Sequence, residues 1–110
     1  MPDDIDDVDD LPRPPSDLAR DKPEIWEHYT DLGRACAEAG PVSGEEKRLV
    51  KLAMAIAAGS EGAVHSHARR GLEEGVAADA MEHVAILAIP TIGFPDAMAG
   101  LSWLRDVTEG

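Results

Sequence analysis

The stretch Ser60-Glu61-Gly62-Ala63-Val64-His65-Ser66-His67-Ala68-Arg69-Arg70 holds two of the four histidines of the chain beside a carboxylate and two guanidinium groups. Imidazole and carboxylate side chains hold or move protons near neutral pH. Guanidinium grips a carboxylate through two parallel hydrogen bonds. The set is equipped for proton transfer and for gripping a carboxylate, and its placement on a helix decides between that and a structural role. On a helix, Val64, His67, Ala68, Gly71 and Leu72 follow the i, i+3, i+4, i+7, i+8 pattern of one buried face. His67 falls in that apolar stripe, where a core histidine bonded to a neighbour is the alternative reading. Glu61, His65 and Arg69 share a second face, for which a solvated charge ladder is the plainer account. His65 and His67 stand roughly 200° apart around a helix and cannot chelate one ion together. With no second ligand cluster visible in the sequence, neither a metal nor a cofactor is expected. His28 beside Glu27 and His83 beside Glu82 read as surface residues.

These residues need helices to position them. The expected architecture is all-α, a domain of about five helices over residues 21–110. The first helix spans about 23–38, with Ile25, Trp26, Tyr29, Leu32 and Cys36 along one side. Gly40 and Pro41 follow it and prevent continuation. Ser43 and Glu46 form a capping-box pattern that opens a second helix, with Leu49, Leu52, Ala53 and Ile56 as its buried stripe. Gly59 stops that helix, Ser60 caps the histidine helix over about 61–74, and Gly75 closes it. The next helix begins near Ala77. It is apolar all round from Val84, the mark of a buried central helix, and Pro90 should kink or end it. The last helix starts at Pro95 and carries Met98, Leu101, Trp103, Leu104 and Val107.

Composition narrows the partners. With 22 acidic against 10 basic side chains the formal net charge is −12. Nucleic acid needs a basic face, and so does an anionic membrane surface. Neither is an expected partner. No apolar run approaches the ~18–20 residues that span a bilayer. The start lacks the basic and apolar regions of a secretory signal. Cys36 is the single cysteine, so no intrachain disulfide forms and a cytoplasmic location is expected. Residues 1–20 open with six Asp in the first ten positions and continue through a proline-rich segment. They read as a disordered acidic tail.

Lys47-Arg48-Leu49-Val50-Lys51-Leu52-Ala53, Glu61-Gly62-Ala63-Val64-His65-Ser66-His67 and Gly93-Phe94-Pro95, in that order over roughly residues 24–107, resemble the carboxymuconolactone decarboxylase and alkyl hydroperoxidase D superfamily. The resemblance places the functional histidine on His67, and the two cysteines of the peroxidase branch on Ser60 and Ala63. It places that branch's proton-relay glutamate on Arg48. A thiol peroxidase needs an attacking and a resolving thiol, and both are missing, so that activity ranks third. Cys36, on another helix, reads as buried and inert. The resemblance implies instead a cysteine-free decarboxylase-like lyase acting on a small carboxylated lactone or similar acid. His67 would be its proton donor or oxyanion stabiliser, with Glu61 orienting a histidine. Arg48 and Arg70 would anchor the substrate, with His65 beside them. Arg48 is equally suited to an interface ion pair. The resemblance also implies a homotrimer or homohexamer with pockets between subunits. The competing reading is a non-catalytic oligomeric scaffold or ligand-binding protein. An open pocket around His67 and Arg48 favours the enzyme, and a filled core there favours the scaffold.

Overall fold

The computed structural model describes residues 15–110, and these contain six α-helices and no strand. The helices are α1 (Pro15–Asp21), α2 (Pro23–Ala37), α3 (Gly44–Ala57), α4 (Glu61–Glu73), α5 (Ala78–Ile92) and α6 (Phe94–Thr108). Among the described residues they fall into two compact units, residues 15–41 and 42–110. The composition shift in the sequence comes earlier, near residue 20.

In the first unit α1 packs on α2. Helix α1 occupies the end of the segment expected to be disordered. Asp17 in its first turn and Arg20 in its last complement the helix dipole. The acidic run lies outside the described residues. Helix α2 has no buried residue, and Ile25, Tyr29, Leu32 and Cys36 are exposed. The expectation of a buried Cys36 is therefore corrected, because the side of α2 that carries it faces outward.

The second unit packs α3, α4, α5 and α6 around one core of Leu52, Ala55, Ile56, Val64, Ala68, Val76, Met81, Ala85 and Leu104. The buried stripe of α3 is Arg48, Leu52, Ala55 and Ile56, an i, i+4, i+7, i+8 set. The sequence pattern suggested Leu49 and Ala53 instead, but Leu49 is half-buried and Ala53 exposed. The stripe is rotated because Arg48, expected as a substrate anchor or an interface ion-pair partner, is turned into the core. Ser43 stands at the N-cap of α3 without a side-chain cap hydrogen bond. Gly44 enters at φ 58°, a left-handed start outside capping-box geometry. Ser60 does cap α4, its Oγ accepting from the Ala63 amide at 3.3 Å. At the other end, Gly75 takes φ 86° and the Val76 amide donates to the Gly71 carbonyl at 2.8 Å, the bond of a Schellman ending.

Helix α5 runs through Pro90 to Ile92. In this unit it is less covered than its composition suggested. Met81 and Ala85 are buried, whereas Ile86 and Leu87 are exposed. Four helices cannot enclose a cylinder that is apolar on every side. Leu72, expected on the buried face of α4, is also exposed.

Gly100 lets α6 approach α3. A Cβ there would stand 2.6 Å from Cγ2 and 3.0 Å from Cγ1 of Ile56, a β-branched side chain with little rotamer freedom. Gly100→Ala is expected to lower unfolding free energy by about 1–2 kcal/mol, overpacking outweighing the gain in helix propensity. Urea denaturation of the two proteins measures it. Gly71→Ala should be milder, because its nearest obstacle is the flexible Met81 thioether.

Candidate functional site

Arg48 is the centre of the candidate site. Its residue is 0% exposed, so its charge must be matched inside the unit. The Nε donates to Oε1 of Glu74 at 2.9 Å, and Nη2 donates to Oε2 at 2.7 Å. This is a two-pronged guanidinium–carboxylate pair. The remaining arm, Nη1, lies 2.7 Å from Nδ1 of His67, which is 7% exposed. A guanidinium offers N–H groups alone and does not lose its proton. The Nδ1 atom must therefore be the acceptor, which makes His67 a neutral imidazole with its proton on Nε2. Protonating Nδ1 would set N–H against N–H and bring two cations together.

The backbone of α4 makes this arrangement possible. His67, Gly71 and Glu74 stand at i, i+4 and i+7, along one side of the helix and its C-cap. The arginine stem passes α4 at Gly71, where a Cβ would make an ordinary 3.5 Å contact with Arg48 Cγ and stand 2.6 Å from the Met81 sulfur. The Schellman turn at Gly75 ends the helix directly after Glu74. Glu74 is 39% exposed on its side chain and lines a cavity of about 170 Å³ with Gly44, Glu45, Lys47, Gly75 and Val76. His67 and Arg48 are not among the residues that line it.

The other candidates lie elsewhere. Glu61 and His65 occupy a different face of α4, where Nε2 of His65 is 2.9 Å from Oδ2 of Asp106 on α6. Arg70 forms a 3.2 Å ion pair with Glu73 in the last turn of α4. His28 and His83 are exposed. The fold thus joins His67 with Arg48, separates both from Glu61 and His65, and adds two residues that sequence reasoning missed. Glu74 entered the sequence reading only as the end of the histidine helix. Its signal was the seven-residue spacing from His67. Asp106 had no signal, since its position opposite His65 depends on how α6 packs against α4.

The chain belongs to the carboxymuconolactone decarboxylase family, whose model matches residues 23–106. No curated protein and no solved structure matches the chain. At the position where the sequence resemblance implied a glutamate, Arg48 bonds His67 with one arm and Glu74 with the other edge of its guanidinium.

The two ends of the Arg48–Glu74 pair differ in exposure, so deleting them should differ in effect. Glu74→Ala leaves a fully buried guanidinium short of its counter-ion and is expected to cost about 2–4 kcal/mol. Arg48→Met leaves a carboxylate that can turn to water and should cost at most about 1–2 kcal/mol. Denaturation of both variants measures the asymmetry, and equal losses would refute the geometry. In the wild type, imidazole ¹⁵N shifts should report an unprotonated Nδ1 on His67.

Proposed function

We propose that this protein is a decarboxylase-type enzyme that acts on a small carboxylated lactone or similar acid, with His67 as its oxyanion hydrogen-bond donor. The observation that carries this reading is the 2.7 Å contact between Arg48 Nη1 and His67 Nδ1. It commits His67 to the neutral form with a proton on Nε2. In the proposed reaction the bond to the departing carboxylate breaks and carbon dioxide leaves. The electron pair moves into the lactone carbonyl, creating an oxyanion. A neutral Nε2–H stabilises that oxyanion as it forms, without titrating. Water then protonates the carbon, leaving hydroxide to the solvent, and the carbonyl is restored. The step uses no thiol.

Arg48 serves the site in two ways. It orients His67, and it grips a carboxylate that the substrate keeps. The grip requires that carboxylate to displace Glu74, whose side chain is 39% exposed on a cavity wall. One carboxylate then replaces another on the same fork, and the buried cation is never left unmatched. The exposed Ile86 and Leu87 on α5 support a homo-oligomeric state, in which a neighbouring copy would complete the walls of the site.

A second reading has its own observation. Arg48 at 0% and His67 at 7% exposure form a filled core in the single chain and do not line the cavity beside Glu74, the arrangement that favours a scaffold keeping the fold without catalysis. Thiol peroxidase chemistry remains the weakest fit, with Cys36 on α2 and no cysteine on α4.

Carbon dioxide release from 4-carboxymuconolactone separates the readings. Turnover by the wild type should fall by roughly 10²–10³-fold in a folded His67→Ala variant. Equal rates would remove His67 from the chemistry. Absence of turnover with this and related lactone acids would favour the scaffold.

A further inference from the structure

Away from the Arg48–His67 pair, the fold gathers a second group of side chains able to bind a cation. Glu61 opens α4, His65 follows one turn later on the same face, and Asp106 comes from the end of α6. One ligand atom from each lies within 4.8 Å of the other two. The His65 Nε2 to Asp106 Oδ2 distance is 2.9 Å. Two ligands that each bind a first-row cation at about 2.0–2.2 Å stand roughly 3 Å apart. The His65–Asp106 edge already has that spacing, and the exposed Glu61 needs a side-chain rotation to join it.

Charge favours an occupant. Among the described residues Glu61 has no hydrogen bond or ion pair, and the packing of α4 on α6 holds it beside a second carboxylate. The described ion-pair partner of Asp106 is His65, a cation when protonated alone. Two carboxylates around an imidazole, in a chain of net charge −12, attract a divalent ion. One nitrogen and two oxygens suit zinc, manganese, iron or cobalt. Calcium and magnesium prefer oxygen ligands throughout. Exposure of Glu61 and Asp106 leaves further coordination positions open to water.

We propose that Glu61, His65 and Asp106 bind one divalent transition-metal ion, which clips the start of α4 to the end of α6. This site is separate from His67 and does not depend on the decarboxylase reading. The test uses the full chain, stripped with chelator and titrated with zinc chloride by calorimetry, with cobalt chloride as a visible-absorption probe. The expected result is one saturable site per chain and a Tm that rises with zinc concentration. His65→Ala and Asp106→Asn should each weaken binding by tenfold or more. Asp106 is exposed and His65 half-buried, and circular dichroism verifies that the variants are folded. His83→Ala and His28→Ala, which alter exposed histidines outside the cluster, should bind as the wild type does. No saturable binding, or equal affinity in wild type and His65→Ala, overturns the proposal. So does binding that is lost with His83 or His28 instead.

Discussion

Arg48 places a permanent positive charge in the apolar stripe of α3, and the packing of the second unit depends on how that charge is matched. A guanidinium removed from water is tolerable when each edge finds an acceptor. Here Glu74 receives one edge and His67 part of the other. The requirement reaches into α4 at three places. Position 67 must offer a lone pair, position 71 must leave room for the Met81 thioether packed beside the arginine stem, and the helix must end where Glu74 can turn back. His67, Gly71 and the Gly75 ending meet these conditions in order.

The same interaction sets the chemical character of His67. A carboxylate bonded to an imidazole draws a proton onto the ring and makes it a relay. A guanidinium does the reverse, holding the ring neutral and its proton on the far nitrogen. On the reading proposed above, that neutral ring serves as a fixed hydrogen-bond donor and not as a proton carrier, which suits a chain with no cysteine on α4. Glu74 keeps the local charge balanced and stands between the buried pair and solvent. Helix α4 consequently has two chemically distinct sides. One is closed around Arg48, and the other presents His65 towards Asp106 on α6.

Particular residues show how far the sequence could be read. The helical composition, the Gly and Pro stops and the Ser60 cap located α3 through α6 to within a residue or two. The stripe of α4 was legible at Val64, His67 and Ala68 and failed at Leu72, which is exposed in the unit. Periodicity reports which side is apolar, whereas the number of neighbouring helices decides how much of it is covered. In α3 the pattern failed at Leu49 and Ala53, in whose place Arg48 and Ala55 are buried, since an apolar period cannot anticipate a charge whose partners lie 19 and 26 residues away. Ser43 and Glu46 carry the letters of a capping box, but the left-handed Gly44 between them changes the entry geometry. In α2 the apolar side was legible and its exposure was not.

By itself the sequence determined the helical class, the order of α3 to α6, the family motifs and the place of His67 on an apolar face. These follow from local propensity, end signals and the 3.6-residue period, all carried by neighbours along the chain. Tertiary structure alone decided that Arg48 is buried, that Glu74 matches it, that His67 is neutral, and that Asp106 faces His65. Each depends on side chains brought together from separate helices. Their pairing is set by the balance between desolvating a charge and satisfying it, which no single segment contains.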